Sequence, residues 1–262
     1  MIGRGRSSAG AGTVSADELI ASARRALRAA RSVVALTGAG ISAESGIPTF
    51  RDALTGLWSR FDAAELASEE GFRAHPQRVW DWYAERREGV RRAEPNAAHR
   101  ALAEFERRRP GALRVVTQNV DDLHQRAGSS DVVRLHGDIV QDCWLDACPQ
   151  HPACHPHDAE PGRPPRCARC GNLVRPGVVW FGEMLPEAAL ASAQQAAARC
   201  DAMLVVGTSG AVWPAAGLAA LARRAGATVL IVNPAASEID AEATHLLRGT
   251  AAVLLPLLLA PD

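Results

Sequence analysis

The chain contains no lysine: all 29 of its basic residues are arginine, and 29 acidic residues bring the formal net charge to zero. No side chain of this protein can therefore be acylated as a lysine. The charge balance also argues against a dedicated nucleic-acid binder, which shows a basic excess. Long apolar runs are missing as well. No stretch reaches the ~18 consecutive apolar residues of a membrane span, and the apolar tail "AAVLLPLLLA" is interrupted by Pro256. The opening "MIGRGRSSAGAGTVS" carries arginines but no apolar h-region, so residues 1–14 read as a disordered arm rather than a secretory signal. With no export signal, the six cysteines point to metal binding in a reducing cytoplasm rather than to disulfides. Tyrosine is almost absent too, Tyr83 being the only one.

What is present suffices for a sizeable core. At 262 residues, 47% apolar and 22% charged, the chain suits one domain, or one with a smaller companion. "SADELIASARRALRAARS" has helical spacing, with Ser15 or Asp17 as N-cap. "VVAL", "LRVVT", "AMLVVG" and "TVLIV" are short continuous apolar runs, each ending in small or polar residues, with helical segments such as "AAGLAALARRAG" between them. That alternation predicts an α/β fold, a parallel sheet with helices on both faces. Ligands of such sheets collect at the carboxyl ends of the strands. Residues 52–95, mostly helical, and 137–176, rich in Pro, His and Cys, interrupt the pattern. Together they predict a smaller helical and metal-binding module. Residues 15–51, 96–136 and 177–262 then form the discontinuous sheet domain.

"VVALTGAGISA" fits G-x-G-x-x-A after a strand through Gly38, Gly40 and Ala43. Small residues let backbone N–H groups approach a pyrophosphate. The loop "ESGIPTFRD" follows, where a hydride-transferring enzyme needs a helix, a second strand and a ribose-binding acid. That reading is therefore disfavoured. "TQNVDDLH" sets Gln118, Asn119, Asp121, Asp122 and His124 after another strand, and "RLHG" adds His136. An aspartate here can serve as a helix cap, but convergence of so many polar groups beside a phosphate loop points to a site. His136 is the candidate base, because an imidazole titrates near neutrality. "CARC" (Cys167 and Cys170) reads as half of a structural zinc site, with the other half drawn from Cys143, Cys148, Cys154 and nearby histidines. In "DWYAERR", Tyr83 and Arg86 share a helix face. They are either part of a solvated charge cluster with Glu85 and Arg87, or a phenol and guanidinium that meet a carboxylate.

Between about residue 18 and residue 256, the strings "GAGIS", "GIPTFR", "TQNVDDLH", "LHG", "CARC", "RPGVVWFGE", "GTSGAVWPAA" and "IVNP" occur in one order. In that order they resemble the sirtuins, NAD-dependent protein lysine deacylases. The resemblance implies a Rossmann-like NAD-binding domain with a small zinc-ribbon and helical domain, and a site in the cleft between them. It implies that Gly38, Ala39, Gly40, Ile41, Phe50, Arg51, Gln118, Asn119, Asp121, Gly207, Thr208, Ser209, Asn233 and Ala251 surround NAD. Asn119 and Asp121 would orient the ribose and a water, and His136 would act as general base. Val179, Trp180, Phe181, Gly182 and Glu183 would pair with the peptide and wall an acyl-lysine tunnel. The products would be free lysine, nicotinamide and O-acyl-ADP-ribose.

One feature narrows the resemblance and another departs from it. Tyr83, Arg86 and Ala67, sixteen residues before the tyrosine, resemble the class III members, which implies malonyl, succinyl or glutaryl substrates as well as acetyl. The usual first C-x-x-C would begin eight residues after His136, where this chain has Trp144. The zinc ligands expected are therefore Cys143, Cys148, Cys167 and Cys170, with Cys154 as substitute. A monomer acting in the cytoplasm on acyl-lysine proteins is expected, with no membrane or nucleic-acid partner. Mono-ADP-ribosyl transfer and non-enzymatic sensing of NAD or ADP-ribose are the competing readings, and the intact Asn119, Asp121 and His136 set disfavours the second.

Overall fold

A computed structural model describes residues 15–49, 62–147 and 154–261. The chain opens with α1 (Ala16–Ala29), capped by Ser15, whose hydroxyl accepts from the Glu18 N–H while the Glu18 carboxylate returns to the Ser15 N–H. This reciprocal box satisfies donors that the first helical turn leaves open. There follow β1 (Val33–Thr37), α2 (Ala63–Leu66), α3 (Glu69–Ala74), α4 (Pro76–Arg92), α5 (Ala97–Arg108), β2 (Leu113–Thr117), α6 (Leu123–Arg126), β3 (Val132–Arg134), β4 (Gly137–Trp144) and β5 (Val174–Val178). The remainder runs α7 (Glu187–Ala197), β6 (Ala202–Val206), α8 (Gly217–Arg224), β7 (Thr228–Val232), β8 (His245–Leu247) and α9 (Ala251–Leu259).

Six strands form one parallel sheet in the order β3-β2-β1-β6-β7-β8. The continuous apolar runs of the sequence are its central strands, because a sheet covered by helices must bury both faces. Alternation divides each strand between two cores. Val33 and Ala35 pack with α1, α5 and α9, while Val34 and Leu36 pack with α7 and α8. The apolar tail is α9, and Leu254, Leu255, Leu258 and Leu259 bury its inner side despite Pro256. Among the described residues no helix is long and apolar enough to cross a membrane. Strand order reverses between β1 and β6, which opens a crevice beyond their carboxyl ends.

A third core lies apart from the sheet. It joins Leu66, Ala67, Phe72, Val79, Trp82, Tyr83 and Val90 of the helical segment to Ile139, Val178 and Trp180. β4 and β5 form an antiparallel ribbon with an irregularity between Asp138 and Asp142. Arg87 fastens α4 to it: Nε donates to the Ile139 carbonyl at 2.6 Å, and Nη2 donates to the Gln141 carbonyl at 3.2 Å and to the Asp142 carboxylate at 2.5 Å. The charge run "ERR" is therefore not one solvated face. Glu85 is exposed, Arg86 half-buried and Arg87 only 8% exposed.

Candidate active site

Three glycines shape the crevice. Gly38 follows β1 and its N–H donates to the Val206 carbonyl at 3.0 Å, while the Gly40 N–H donates to the Gly207 carbonyl at 2.8 Å. A Cβ on Gly40 would stand 2.7 Å from Gly207 Cα, and one on Gly207 would stand 2.5 Å from the Ile41 nitrogen. Gly207 also has φ of 62°, in the left-handed region that favours glycine. The loops after β1 and β6 thus approach backbone to backbone, a closer demand on these glycines than the ligand approach expected from the sequence. Ile41, expected against the cofactor, has its side chain wholly within the sheet core, which leaves only its backbone for that role. Ala251 opens α9 and is likewise packed into that core. Phe50, Arg51 and Cys148 lie outside the described residues, as does the arm over residues 1–14.

The residues after β2 form a connected polar floor. Gln118 Nε2 donates to Thr208 Oγ1 at 3.1 Å, and Asn233 Nδ2 donates to the Thr208 carbonyl at 2.7 Å. Ser209, beside them, is exposed. Asn119 and Asp121 are 7% and 5% exposed and meet at Ser42. Its Oγ accepts from Asn119 Nδ2 at 3.0 Å and donates to the Asp121 carboxylate at 2.9 Å. Burial pushes the Asp121 pKa up, against the Leu123 N–H, the Ser42 hydroxyl and the Arg134 charge. Below this floor His99 and His124 stack edge to face, with centroids 4.9 Å apart. Desolvation, aided by nearby positive charge, lowers their pKa values to about 4 and about 3. The Asn96 N–H donates to His99 Nδ1 at 3.4 Å, so His99 Nε2 carries its proton, 3.5 Å from Ser42 Oγ.

His136 stands between β3 and β4, at the edge of this floor. Its Nδ1 lies 2.8 Å from the Gln118 carbonyl. A carbonyl only accepts, so Nδ1 holds the proton and Nε2 presents a lone pair. Burial lowers the pKa of the ring, opposed by the Gln118 hydrogen bond, and keeps it neutral at physiological pH. Sequence reasoning singled out Gln118, Asn119, Asp121, His124 and His136. It missed Ser42 and His99, whose partners lie 57 to 79 residues away along the chain. Asn96, as cap of α5 with His99 at its third position, was the only local signal.

Of the residues expected on the acyl side, Ala67, Tyr83 and Trp180 lie in the third core, while Phe181 is 53% exposed. Ala67 is 5% exposed, and its carbonyl accepts the Phe181 N–H at 2.9 Å. Tyr83 is 3% exposed. The Arg86 guanidinium lies 4.6 Å from the Trp82 ring centroid and 5.7 Å from that of Tyr83. Desolvation lowers the Arg86 pKa, while Tyr83 and Asp121 oppose it, so Arg86 senses the same carboxylate as the polar floor. Val179 donates its N–H to the His136 carbonyl at 2.9 Å. Gly182, with φ of 88°, turns the chain so that Glu183 accepts the Trp180 N–H at 2.7 Å. Trp180, expected to wall the tunnel, is 2% exposed, and its indole N–H donates to Tyr83 Oη at 3.0 Å.

At the far end of the ribbon, Cys154, Cys167 and Cys170 bring their sulfurs within 4.8 Å of one another. The Cys154 and Cys167 sulfurs are 3.5 Å apart, close to the ~3.8 Å between thiolates sharing a tetrahedral zinc at ~2.3 Å bonds. Backbone N–H groups of Cys170 and Arg169 draw the Cys167 thiol down to about 7, which favours the thiolate that a metal needs. Cys143, expected as a ligand, stands apart: its Sγ lies 3.8 Å from the Pro176 carbonyl, and burial pushes its pKa up. Strand β4 holds Cys143 against β5 rather than toward the knuckle, and Cys154 takes its place.

A family model described as Sir2 family matches residues 38–214. An NAD-dependent protein deacylase of Ralstonia nicotianae is 56% identical over 240 residues, 92% of this chain and 96% of the relative. One of Methylococcus capsulatus, with the same description, is 56% identical over 248 residues, 93% and 95%. Among solved structures, a Sir2 homolog–NAD complex is 42% identical with TM-score 0.81, covering 91% of this chain and 92% of that one. A Sir2 protein bound to an acetylated peptide is 33% identical with TM-score 0.75, covering 88% and 93%.

Proposed function

The chain belongs to the Sir2 family, and from that premise we propose that it is an NAD-dependent protein lysine deacylase that accepts succinyl and malonyl as well as acetyl groups. The observation that carries the reaction is the neutral, Nδ1-anchored His136 beside Gln118, Asn119 and Asp121 at the reversal of the sheet. NAD fits there by donor chemistry: Gln118, Ser209 and Asn233 stand at the carboxyl ends of β2, β6 and β7, beside the small-residue loops after β1 and β6. When bound, it supplies an electrophilic ribose carbon with nicotinamide as leaving group, so that acyl-lysine, NAD and water give lysine, nicotinamide and O-acyl-ADP-ribose.

The protein's part is placement and proton transfer. Asn119, held through Ser42 and through its own N–H to Thr117 Oγ1, keeps an amide fixed at the floor. Asp121 lies beside it as a poorly solvated carboxylate. His136 Nε2 accepts a proton from a ribose hydroxyl, and the Gln118 carbonyl stabilises the imidazolium that results. No side-chain nucleophile takes part. Cys154, Cys167 and Cys170, with a fourth ligand from outside the described residues, would hold a structural zinc far along the ribbon. Reduced thiols suit a cytoplasmic setting. The expected division, 52–95 and 137–176 against 15–51, 96–136 and 177–262, is supported on the described residues by a core that joins α2–α4 to β4 and β5.

The acidic-acyl reading rests on Tyr83 and Arg86. A half-buried guanidinium beside a buried phenol gives an acyl carboxylate what it loses on leaving water, and Ala67 leaves room for the longer chain. The test is mass spectrometry of one lysine peptide in acetyl, malonyl and succinyl forms, with and without NAD, on wild type and Arg86→Met. NAD-dependent loss of all three by wild type is expected, with selective loss of the acidic activities in the variant. Equal loss of all three in the variant would remove the carboxylate assignment. ADP-ribose attached to the peptide would favour the transferase instead.

A further inference from the structure

Trp180 is 2% exposed, and both its N–H and its ring are engaged. Nε1–H donates to Tyr83 Oη at 3.0 Å. The Arg175 guanidinium lies 3.5 Å from the ring centroid, and the Phe72 ring is 5.3 Å away by centroids. Arg175 is itself 6% exposed, is paired twice with the Glu183 carboxylate, and donates to the Val178 carbonyl. Glu183 then closes the loop by accepting the Trp180 backbone N–H at 2.7 Å. Burial works to raise the Glu183 pKa, but the hydrogen bonds from Arg175 and Trp180 outweigh it, and the net shift is downward. The carboxylate stays charged and the clamp stays closed.

We infer that Trp180 is a positioning residue for acyl selectivity: its indole N–H occupies the acceptor side of the Tyr83 hydroxyl and so turns the phenolic hydrogen toward the acyl group. A phenol has one hydrogen to give and accepts in return. Indole has a donor only, so the direction of this bond is fixed by chemistry. Among the described residues, Trp180 is the only hydrogen-bond partner shown for Tyr83 Oη. A hydroxyl that accepts one bond also donates a stronger second one. Tyr83 is therefore set as a donor, suited to a carboxylate. Its pKa, raised chiefly by burial, keeps the hydrogen in place. The inference rests on the acidic-acyl reading above.

Trp180→Phe removes the N–H and keeps an aromatic face for Arg175. Its KM for the succinyl-lysine peptide should rise about tenfold more than its KM for the acetyl-lysine peptide. In a Tyr83→Phe background the same substitution should add nothing, because both act through one bond. Equal loss toward acetyl and succinyl peptides, or additive effects in the double variant, would overturn the inference. If Arg86→Met loses succinyl removal and Trp180→Phe does not, the inference alone falls; a wild type that removes only acetyl overturns both readings. The unmutated enzyme gives a second readout, since Tyr83 is its only tyrosine. Tyrosine carrying a single ¹³C at Cζ yields one NMR signal, which should move on adding succinyl-lysine peptide and stay still with acetyl-lysine peptide. No movement with either would also overturn it.

Discussion

His136 must be neutral to accept a proton, and its surroundings lower its pKa: burial disfavours the imidazolium more than the Gln118 hydrogen bond favours it. The sign is fixed. A base whose pKa lies below the ordinary 6.5 remains active to lower pH, and activity falls only as pH drops through the lowered value. The acid limb of kcat/KM for an acetyl-lysine peptide should therefore have its midpoint below that of free imidazole. A midpoint at or above it would place the essential base elsewhere. His136→Ala should cut kcat by about 10²–10⁴-fold without shifting the thermal midpoint much, because among the described residues the ring makes only the one hydrogen bond to Gln118. At this scale the sequence offers candidates wherever residue type itself carries the chemistry, as at His136 and Asn119. It was silent on Ser42, an ordinary serine until Asn119 and Asp121 arrive from across the sheet.

Among the elements, α4 does two jobs with neighbouring arginines. Arg86 turns toward Tyr83 and the site, while Arg87 turns inward and ties the helix to β4. Arg87→Met would fill similar space but leave the Ile139 and Gln141 carbonyls without their donor and Asp142 without its partner. A cost of about 1–3 kcal/mol is expected, read as a lower urea midpoint with faster amide exchange confined to the ribbon. An unchanged midpoint would show the anchor to be dispensable. Periodicity located α4, but not which arginine of "ERR" is buried, because that depends on a bulged ribbon more than fifty residues downstream. The strands were legible from their apolar runs. The zinc cluster was legible only as a knuckle: strand pairing, which spacing does not reveal, draws Cys143 away and leaves Cys154 beside Cys167.

For the whole molecule, the two histidines beneath the floor set a pH limit on stability. Folded His99 and His124 have pKa values lowered to about 4 and about 3, against 6.5 in the unfolded chain. As pH falls below that unfolded value, the unfolded chain takes up protons that the folded one cannot. Stability is therefore complete above it and declines on acidification, by up to ~1.4 kcal/mol per pH unit for each histidine. The depressed carboxylates, such as Glu183 and Asp240, act only near and below their own ordinary range, so a decline between about pH 6.5 and 5 belongs to histidine. Urea unfolding across that interval checks it, and a flat midpoint would contradict the buried neutral pair. His136 also holds a mechanical place. Its ring is bonded to the Gln118 carbonyl and its own carbonyl to Val179, while Leu135 bonds to Thr117 and Ile139 to Val120 on either side. Among the described residues these bonds fasten the root of the ribbon to the sheet on both sides of the base, so His136 sits at that root. Should the ribbon and its helices rock against the sheet, a base held at this root would keep its proton-accepting nitrogen in place.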